Sequence, residues 1–258
     1  MATEYKPLDF LEYKCHPKPG SALVILNQPI ASEELLGHLW ECTDYHLCAD
    51  GGANRLLDCL NHDESTVFDP LEYLPDTIHG DLDSLRDDVR TFYERYGVEV
   101  TKDPDQYSTD FGKAMKKVAA LPSHGTQDVV ILGTISGRVD QGLGLLHEMY
   151  REQLRRSHLR LWLFSEISIS FILAAGEHVV HTPTSEGLIT PNIGIVPIFG
   201  PSKITTEGLE WDVKDWETNM GGQVSTSNHI VGHQVAVRTE SAVLFTMERR
   251  EFEKIVVT

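Results

Sequence analysis

The chain has 258 residues, 41% hydrophobic and 24% charged, with 39 acidic against 22 basic side chains and a formal net charge of −17. This length supports one large domain or two smaller ones around a buried core. The acidity argues against binding nucleic acid or an anionic membrane through a general field, and free polyphosphate needs a cation or a local cluster of amides and basic side chains.

Residues 1–20, with Pro7, Pro17 and Pro19, read as a loosely attached arm. Ala22–Leu26 is an apolar run expected as a buried strand. Ser32 caps a helix with Leu35, Leu36, Leu39 and Trp40 on one face. His46–Ala49 is a second strand, followed by a helix marked by Leu56, Leu57 and Leu60. A third strand ends at Thr77–His79. Leu85, Val89, Phe92, Tyr93 and Tyr96 follow at helical spacing, closed by Gly97. Val98–Val100 is a fourth strand, and Phe111, Ala114, Met115 and Val118 form a helix stopped by Pro122. Asp128–Leu132 is a fifth strand, Val139 to Tyr150 a long helix, and Leu159–Phe164 a sixth strand. This alternation predicts a doubly wound, mainly parallel α/β sheet.

Beyond about Phe171 the helical stripes stop. Short β-like runs at His178–His181, Gly194–Phe199, Lys203–Thr206, Gln234–Thr239 and Val243–Met247 are separated by Gly, Pro, Asn and Ser. They predict a C-terminal antiparallel β-sandwich. The expected division is an arm over 1–20, an α/β domain over 21–173 and a sandwich over 174–258.

Cys15, Cys42, Cys48 and Cys59 form no Cys-x-x-Cys pair and fit no zinc spacing. Cys42 and Cys48 lie among apolar residues and read as buried thiols. The N-terminus lacks an apolar signal core, and the apolar stretch Leu159–Ala175 is too short and too polar to span a bilayer. The expectation is a soluble, cytoplasmic protein in a reducing compartment.

In an open α/β sheet, ligands bind beyond the carboxyl ends of the strands. On that edge this sequence carries Asn27-Gln28-Pro29, Asp50-Gly51-Gly52-Ala53-Asn54, Asp81 with Asp83, Asp105-Gln106 with Thr109-Asp110, and Ser136-Gly137-Arg138-Val139-Asp140-Gln141. Paired carboxylates suit a hard divalent ion carrying a polyphosphate. Glycines opening a helix bring amides close to phosphate, although a tight strand-to-helix turn accounts for them equally well. Asp83 or Ser84, and Ser108 or Thr109, suit helix caps. Capping uses one residue at each turn and leaves Asp81 and Asp110 for metal. Arg138 is a phosphate ligand or the salt-bridge partner of Asp140. Lys113 lies one helical turn from Asp110 and suits an i,i+3 pair. In the second half, Trp211 suits stacking on a cationic or aromatic heterocycle, or a place in the sandwich core. Ser225-Thr226-Ser227-Asn228 is a compact polar set that also reads as a turn.

Taken together, Leu26-Asn-Gln-Pro29, Cys48-Ala-Asp-Gly-Gly-Ala-Asn-Arg55, Gly80-Asp-Leu-Asp-Ser84, Asp105-Gln106 with Ser108-Thr-Asp-Phe111, Ser136-Gly-Arg-Val-Asp-Gln141, Gly208-Leu-Glu-Trp211 and Val224-Ser-Thr-Ser-Asn228 resemble the thiamine pyrophosphokinase family in content and order. The resemblance implies transfer of pyrophosphate from ATP to the thiamine hydroxyl, and a homodimer with sites at the subunit interface. It implies Mg²⁺ on Asp81, Asp83 and Asp110, with Arg138 completing the catalytic set. The implied nucleotide side comprises Asn27, Gln28, Asp50, Gly51, Gly52, Asn54, Thr109, Lys113, Arg138 and Asp140. The implied thiamine side comprises Gln106, Trp211, Ser225, Ser227 and Asn228. One departure is Tyr107, where the animal-type pattern has Asp after the glutamine. The N-terminal arm and the Asn61–Pro75 loop have no assigned role. Rival readings are an Asp-x-Asp nucleotide-sugar transferase or phosphatase, and a non-catalytic thiamine or nucleotide sensor, which would have lost its acidic ligands.

Overall fold

The computed structural model describes residues 2–12, 15–30, 32–61, 69–122 and 127–251. Contacts divide the chain into one unit of Cys15–Glu166 and another of Met1–Lys14 with Ile167–Thr258. The first strand, β1 (Thr3–Tyr5), belongs to the latter.

The Cys15–Glu166 unit alternates strand and helix: β2 (Lys18–Ile25), α1 (Glu33–Glu41), β3 (Thr43–Ala49), α2 (Gly52–Leu60), β4 (Thr77–Gly80), α3 (Asp87–Arg95), β5 (Glu99–Lys102), α4 (Asp110–Val118), β6 (Gln127–Leu132), α5 (Val139–Arg155) and β7 (Leu159–Phe164). The strands lie in the order β7-β6-β2-β3-β4-β5, each pair parallel. Ala22 to Ile25 and Val129 to Ile131 are fully buried, as central strands covered on both faces require. The strand order reverses between β2 and β6, so the carboxyl ends of the central strands frame the crevice where such sheets take ligands.

Two expected helix ends hold, at α1 and α3. The Leu35 N–H donates to Ser32 Oγ at 3.0 Å. Gly97, at φ +82°, ends α3, with its N–H on the Glu94 carbonyl and the Val98 N–H on Tyr93. No described helix is long and apolar enough to cross a membrane.

The second unit adds β8 (Ser168–Leu173), β9 (Gly176–His181), β10 (Ile189–Val196), β11 (Ser202–Glu207), β12 (Trp216–Thr218), β13 (Ser225–His229), β14 (Gln234–Thr239) and β15 (Val243–Arg249). One layer runs β1-β9-β14-β11-β12, and β13, β10, β15 and β8 pair antiparallel in the other. Tyr5 stacks on Phe171 at 5.1 Å and Phe171 on Phe245 at 5.2 Å, so aromatic rings fill the space between the layers.

Several expectations change. The arm is not loosely attached over its described residues: β1 pairs in parallel with β9, and Tyr5, Leu8, Phe10 and Leu11 are buried. An exposed strand edge and a short apolar run satisfy each other there. The division falls at Glu166/Ile167, not at residue 173, because β8 pairs with β15. Cys42 is buried but not a free thiol. It follows α1, accepts the Lys18 N–H through its carbonyl, and is disulfide-bonded to Cys15. Cys48 is the buried thiol expected, with burial pushing its pKa up.

The run expected at Gly194–Phe199 begins earlier, at Ile189, because Pro191 and Asn192 lie where pairing with β15 shifts register rather than in a turn. The polar set Ser225–Asn228 is strand, paired with β10. The Asn61–Pro75 loop lies partly outside the described residues.

Candidate active site

β3 ends one residue before Asp50, which takes a left-handed φ of +46°. That turn sends its N–H to the His79 carbonyl at 3.0 Å and its Oδ2 to the Ser84 N–H at 3.2 Å. Its Oδ1 is buried without a hydrogen-bond partner among the described residues. Asp81 follows β4, and Asp110 is the first residue of α4, whose N-cap Thr109 accepts the Gly112 N–H at 3.1 Å. α4 packs on β3 and β4. Oxygens of Asp50, Asp81 and Asp110 all lie within 4.8 Å of one another.

Lys113, 1% exposed, reaches into this group. Its Nζ lies 2.7 Å from Asp81 Oδ2 and 3.4 Å from Asp110 Oδ1. The hydrogen bond from Lys113 holds Asp81 below the usual carboxylate range. Burial, and then the charge of a neighbouring carboxylate, lifts Asp50 and Asp110 above it. Burial disfavours the Lys113 ammonium, but its Asp81 hydrogen bond and the Asp110 charge outweigh this and raise its pKa. Two of the three carboxylates thus share one cation, and a buried oxygen of the third, Asp50, is left unpaired. This all-oxygen donor set fits a hard divalent ion.

The structure does not bring Asp83 into the cluster. Leu82 takes φ +64°, and Asp83 is exposed, with its N–H facing Asp81 Oδ1 at 3.4 Å and its Oδ1 accepting from Ser84 Oγ. Neither Asp83 nor Ser84 caps α3, whose N-cap is Arg86. Asp50, read from sequence on the nucleotide side, takes the third place. The signal was present, since Asp50 directly follows an apolar strand on the same sheet edge as Asp81.

Gly51 and Gly52 open α2. A Cβ on Gly52 would lie 2.2 Å from the Ile25 carbonyl oxygen, and one on Gly51 2.4 Å from Asn27 Nδ2. Only glycine lets this turn pack against the end of β2. Several neighbours are already engaged. Asn54 binds the Ser84 carbonyl and the Arg86 N–H, and Gln28 clamps both backbone groups of Thr134 at 2.7 and 2.9 Å. Asn27 accepts from Arg55 Nε. Thr109 also donates to Glu148. Arg138 and Asp140 form an exposed bidentate pair, the salt-bridge alternative. Gln106 is exposed.

The second unit holds a pocket of about 300 Å³. Ile195, Ile204 and Leu209 floor it, Trp211 and Trp216 wall it, and Ser225–Asn228 give it a polar edge. Trp211 is 54% exposed, which removes the sandwich-core alternative. Ser225 and Ser227 line the pocket as expected. The Asn228 side chain is committed to the backbone of Trp211. Trp216 was not singled out from sequence. It stands in an acidic run, Asp212–Glu217, without apolar periodicity.

Residues 36–163 match the family described as thiamin pyrophosphokinase, catalytic domain, and residues 177–244 match the thiamin pyrophosphokinase vitamin B1 binding domain. The chain is 36% identical over 239 residues to thiamine pyrophosphokinase 1 of Arabidopsis thaliana, covering 88% of this chain and 85% of that protein. It is 29% identical over 281 residues to the thiamine pyrophosphokinase of Saccharomyces cerevisiae, covering 90% and 87% respectively. Among solved structures, the thiamin pyrophosphokinase from Candida albicans superposes with a TM-score of 0.81 at 26% identity, covering 96% of this chain and 93% of that one.

Proposed function

The chain belongs to the thiamine pyrophosphokinase family, and on that premise we propose how its two ligand-bearing regions act. It is an enzyme that makes thiamine diphosphate, with ATP as the pyrophosphate donor. The thiamine hydroxyl oxygen attacks the β-phosphorus. The bond from that phosphorus to the oxygen bridging it to the α-phosphorus breaks, the hydroxyl proton is released, and AMP leaves.

The observation that carries the reading is the convergence of Asp50, Asp81 and Asp110 beside the Gly51-Gly52 helix start. Such a displacement depends on positioning and charge neutralisation more than on covalent help. Mg²⁺ held by Asp50, Asp81 and Asp110 would neutralise phosphate charge. The Gly51-Gly52 start of α2 would offer amides to the same anion, with the helix dipole favouring negative charge there. Lys113 keeps Asp81 ionised and fixed. The apolar and indole walls of the second-unit pocket suit the rings of thiamine, and Ser225 and Ser227 offer hydroxyls to their polar atoms.

Incubation with ATP, Mg²⁺ and thiamine should yield AMP and thiamine diphosphate in equal amounts. ADP with thiamine monophosphate would overturn attack at the β-phosphorus. The active species in this reading is a homodimer, with the carboxylates of one protomer serving the thiamine pocket of its partner. At thiamine concentrations well below the wild-type KM, Asp81→Ala and Trp211→Ala homodimers should each be nearly inactive. Random exchange of their subunits should then restore roughly a quarter of wild-type activity, since half the dimers are hybrids with one intact site. Verified hybrids without recovery would exclude the shared site.

A further inference from the structure

The turn carrying Trp211 is fixed by its backbone. The Asp212 carboxylate accepts from the Gly208 and Leu209 N–H groups at 3.0 and 3.2 Å. Asn228 Oδ1 accepts the Trp211 N–H at 3.1 Å, and Asn228 Nδ2 donates to the Trp211 carbonyl at 2.9 Å. The Glu210 N–H donates to the His229 carbonyl at 2.8 Å, and Leu209 bridges Ile230. None of these bonds holds the indole itself, which projects half-exposed at the pocket wall. The ring against it is that of His229, centroid to centroid 5.3 Å with a 43° tilt. The imidazole is held in turn: its Nδ1 lies 2.5 Å from Glu210 Oε2. A carboxylate oxygen accepts, so Nδ1 donates in this pair.

On the reading that this pocket takes thiamine, we propose that His229, oriented by Glu210, is a positioning residue that sets the Trp211 indole and thereby the affinity for thiamine. The backbone clamp places Cα and Cβ of Trp211 but leaves χ1 and χ2 free. The imidazole face selects among the indole rotamers. A ligand that stacks on a pre-set indole does not bear the entropy of ordering it. Without that face, the ordering cost falls on binding. His229 touches neither ATP nor the carboxylate cluster in this account, so its removal acts on thiamine recognition.

Steady-state kinetics on the full-length enzyme test this. His229→Ala should raise the KM for thiamine about three- to tenfold, the range an aromatic pair spans. The KM for ATP and the thermal midpoint should stay near wild type, and kcat should fall far less than KM rises. His229→Phe keeps a ring but loses the Glu210 bond, and should fall between wild type and His229→Ala. In Trp211→Ala, adding His229→Ala should change thiamine KM no further. Effects that multiply fully in the double variant would assign His229 a role independent of Trp211 and overturn the proposal. A raised thiamine KM in Trp211→Ala with a wild-type value in His229→Ala would also overturn it, leaving the pocket assignment intact. A wild-type thiamine KM in Trp211→Ala would instead overturn the pocket assignment. Should His229→Ala lower the thermal midpoint, His229→Phe and Glu210→Gln carry the same comparison, each expected to raise thiamine KM with ATP KM unchanged.

Discussion

Asn228 brackets Trp211: the amide oxygen of one accepts the backbone N–H of the other at 3.1 Å, and the amide nitrogen donates to its carbonyl at 2.9 Å. The same oxygen accepts the His229 N–H at 2.9 Å, so a buried side chain satisfies three backbone groups at once. Asn228→Ala should therefore lose about 1–3 kcal/mol of stability, the cost of leaving such groups unpaired. It should also raise the KM for thiamine by loosening the Trp211 turn. Asn228→Asp keeps the accepting oxygen but sets an acceptor against the Trp211 carbonyl, and should be destabilised as well. Urea unfolding with thiamine kinetics checks both. Wild-type values in both variants would reduce the bracket to a surface contact.

The carboxylate cluster predicts an ordering among four aspartates. Asp50→Asn, Asp81→Asn and Asp110→Asn should each lower turnover by at least about a hundredfold, on the scale of losing one preorganised electrostatic group. Asp83→Asn should keep most of it, because Asp83 is exposed and outside the cluster. Asp50→Asn should also raise the thermal midpoint of the metal-free protein by a few degrees, about what 1 kcal/mol gives at this size. It removes an unpaired buried charge, and Asn tolerates the left-handed backbone at that position. Turnover and melting curves in chelator decide this. Inactive Asp83→Asn beside active Asp50→Asn would reverse the assignment.

Lys113 is the counter-ion within the carboxylate cluster. Lys113→Met should cost about 2 kcal/mol in chelator, below the range for fully buried pairs because Asp81 and Asp110 keep some solvent exposure. Excess Mg²⁺ should recover more of that loss than the stability it adds to the wild type, since a cation then stands where the ammonium stood. Denaturant titrations with and without Mg²⁺ measure the difference. Equal Mg²⁺ effects on the two proteins would sever Lys113 from the metal site.

His178 predicts part of the acid sensitivity. Its Nε2 lies 2.7 Å from the Ala174 carbonyl, its Nδ1 is buried without a partner among the described residues, and the Tyr5 ring stands edge-on at 5.7 Å. Burial lowers its pKa below the ordinary value. The unfolded chain thus takes up the proton first. The stability linked to neutral His178 is fully present above about pH 6.5 and declines as pH falls toward the lowered folded value. Burial lowers His46 in the same direction. The thermal midpoint should drop between pH 7.5 and 5.5, and the drop should shrink, not vanish, in His178→Gln. An unchanged slope in that variant would show that His178 contributes nothing.

Local rules made most of the first unit legible. Four or more apolar residues in a row mark β2, β6 and β7. Leucines at helical spacing mark α1 and α2, and Ser32 and Gly97 sit where backbone groups at helix ends need partners. The gathering of polar turns on one sheet edge followed from strand–helix alternation alone. Within the second unit, strands at Gln234–Thr239 and from Val243 were readable. Ser225–Asn228 was not, because it owes its strand conformation to pairing with β10, thirty or more positions away.

What the sequence by itself determined was the set of elements, their alternation and the edge where the chemistry collects, because these depend on dihedral preference and periodicity over about ten residues. Only the tertiary structure decided which side chains meet. A left-handed turn at Asp50 and another at Leu82 bring Asp50 into the cluster and leave Asp83 outside it. Parallel pairing ties Thr3–Tyr5 to a strand 175 positions later, and Asn228, at the pocket edge, also supports the Trp211 backbone. These outcomes rest on strand register and on which backbone groups remain unpaired after folding, and neither is a local property of the chain.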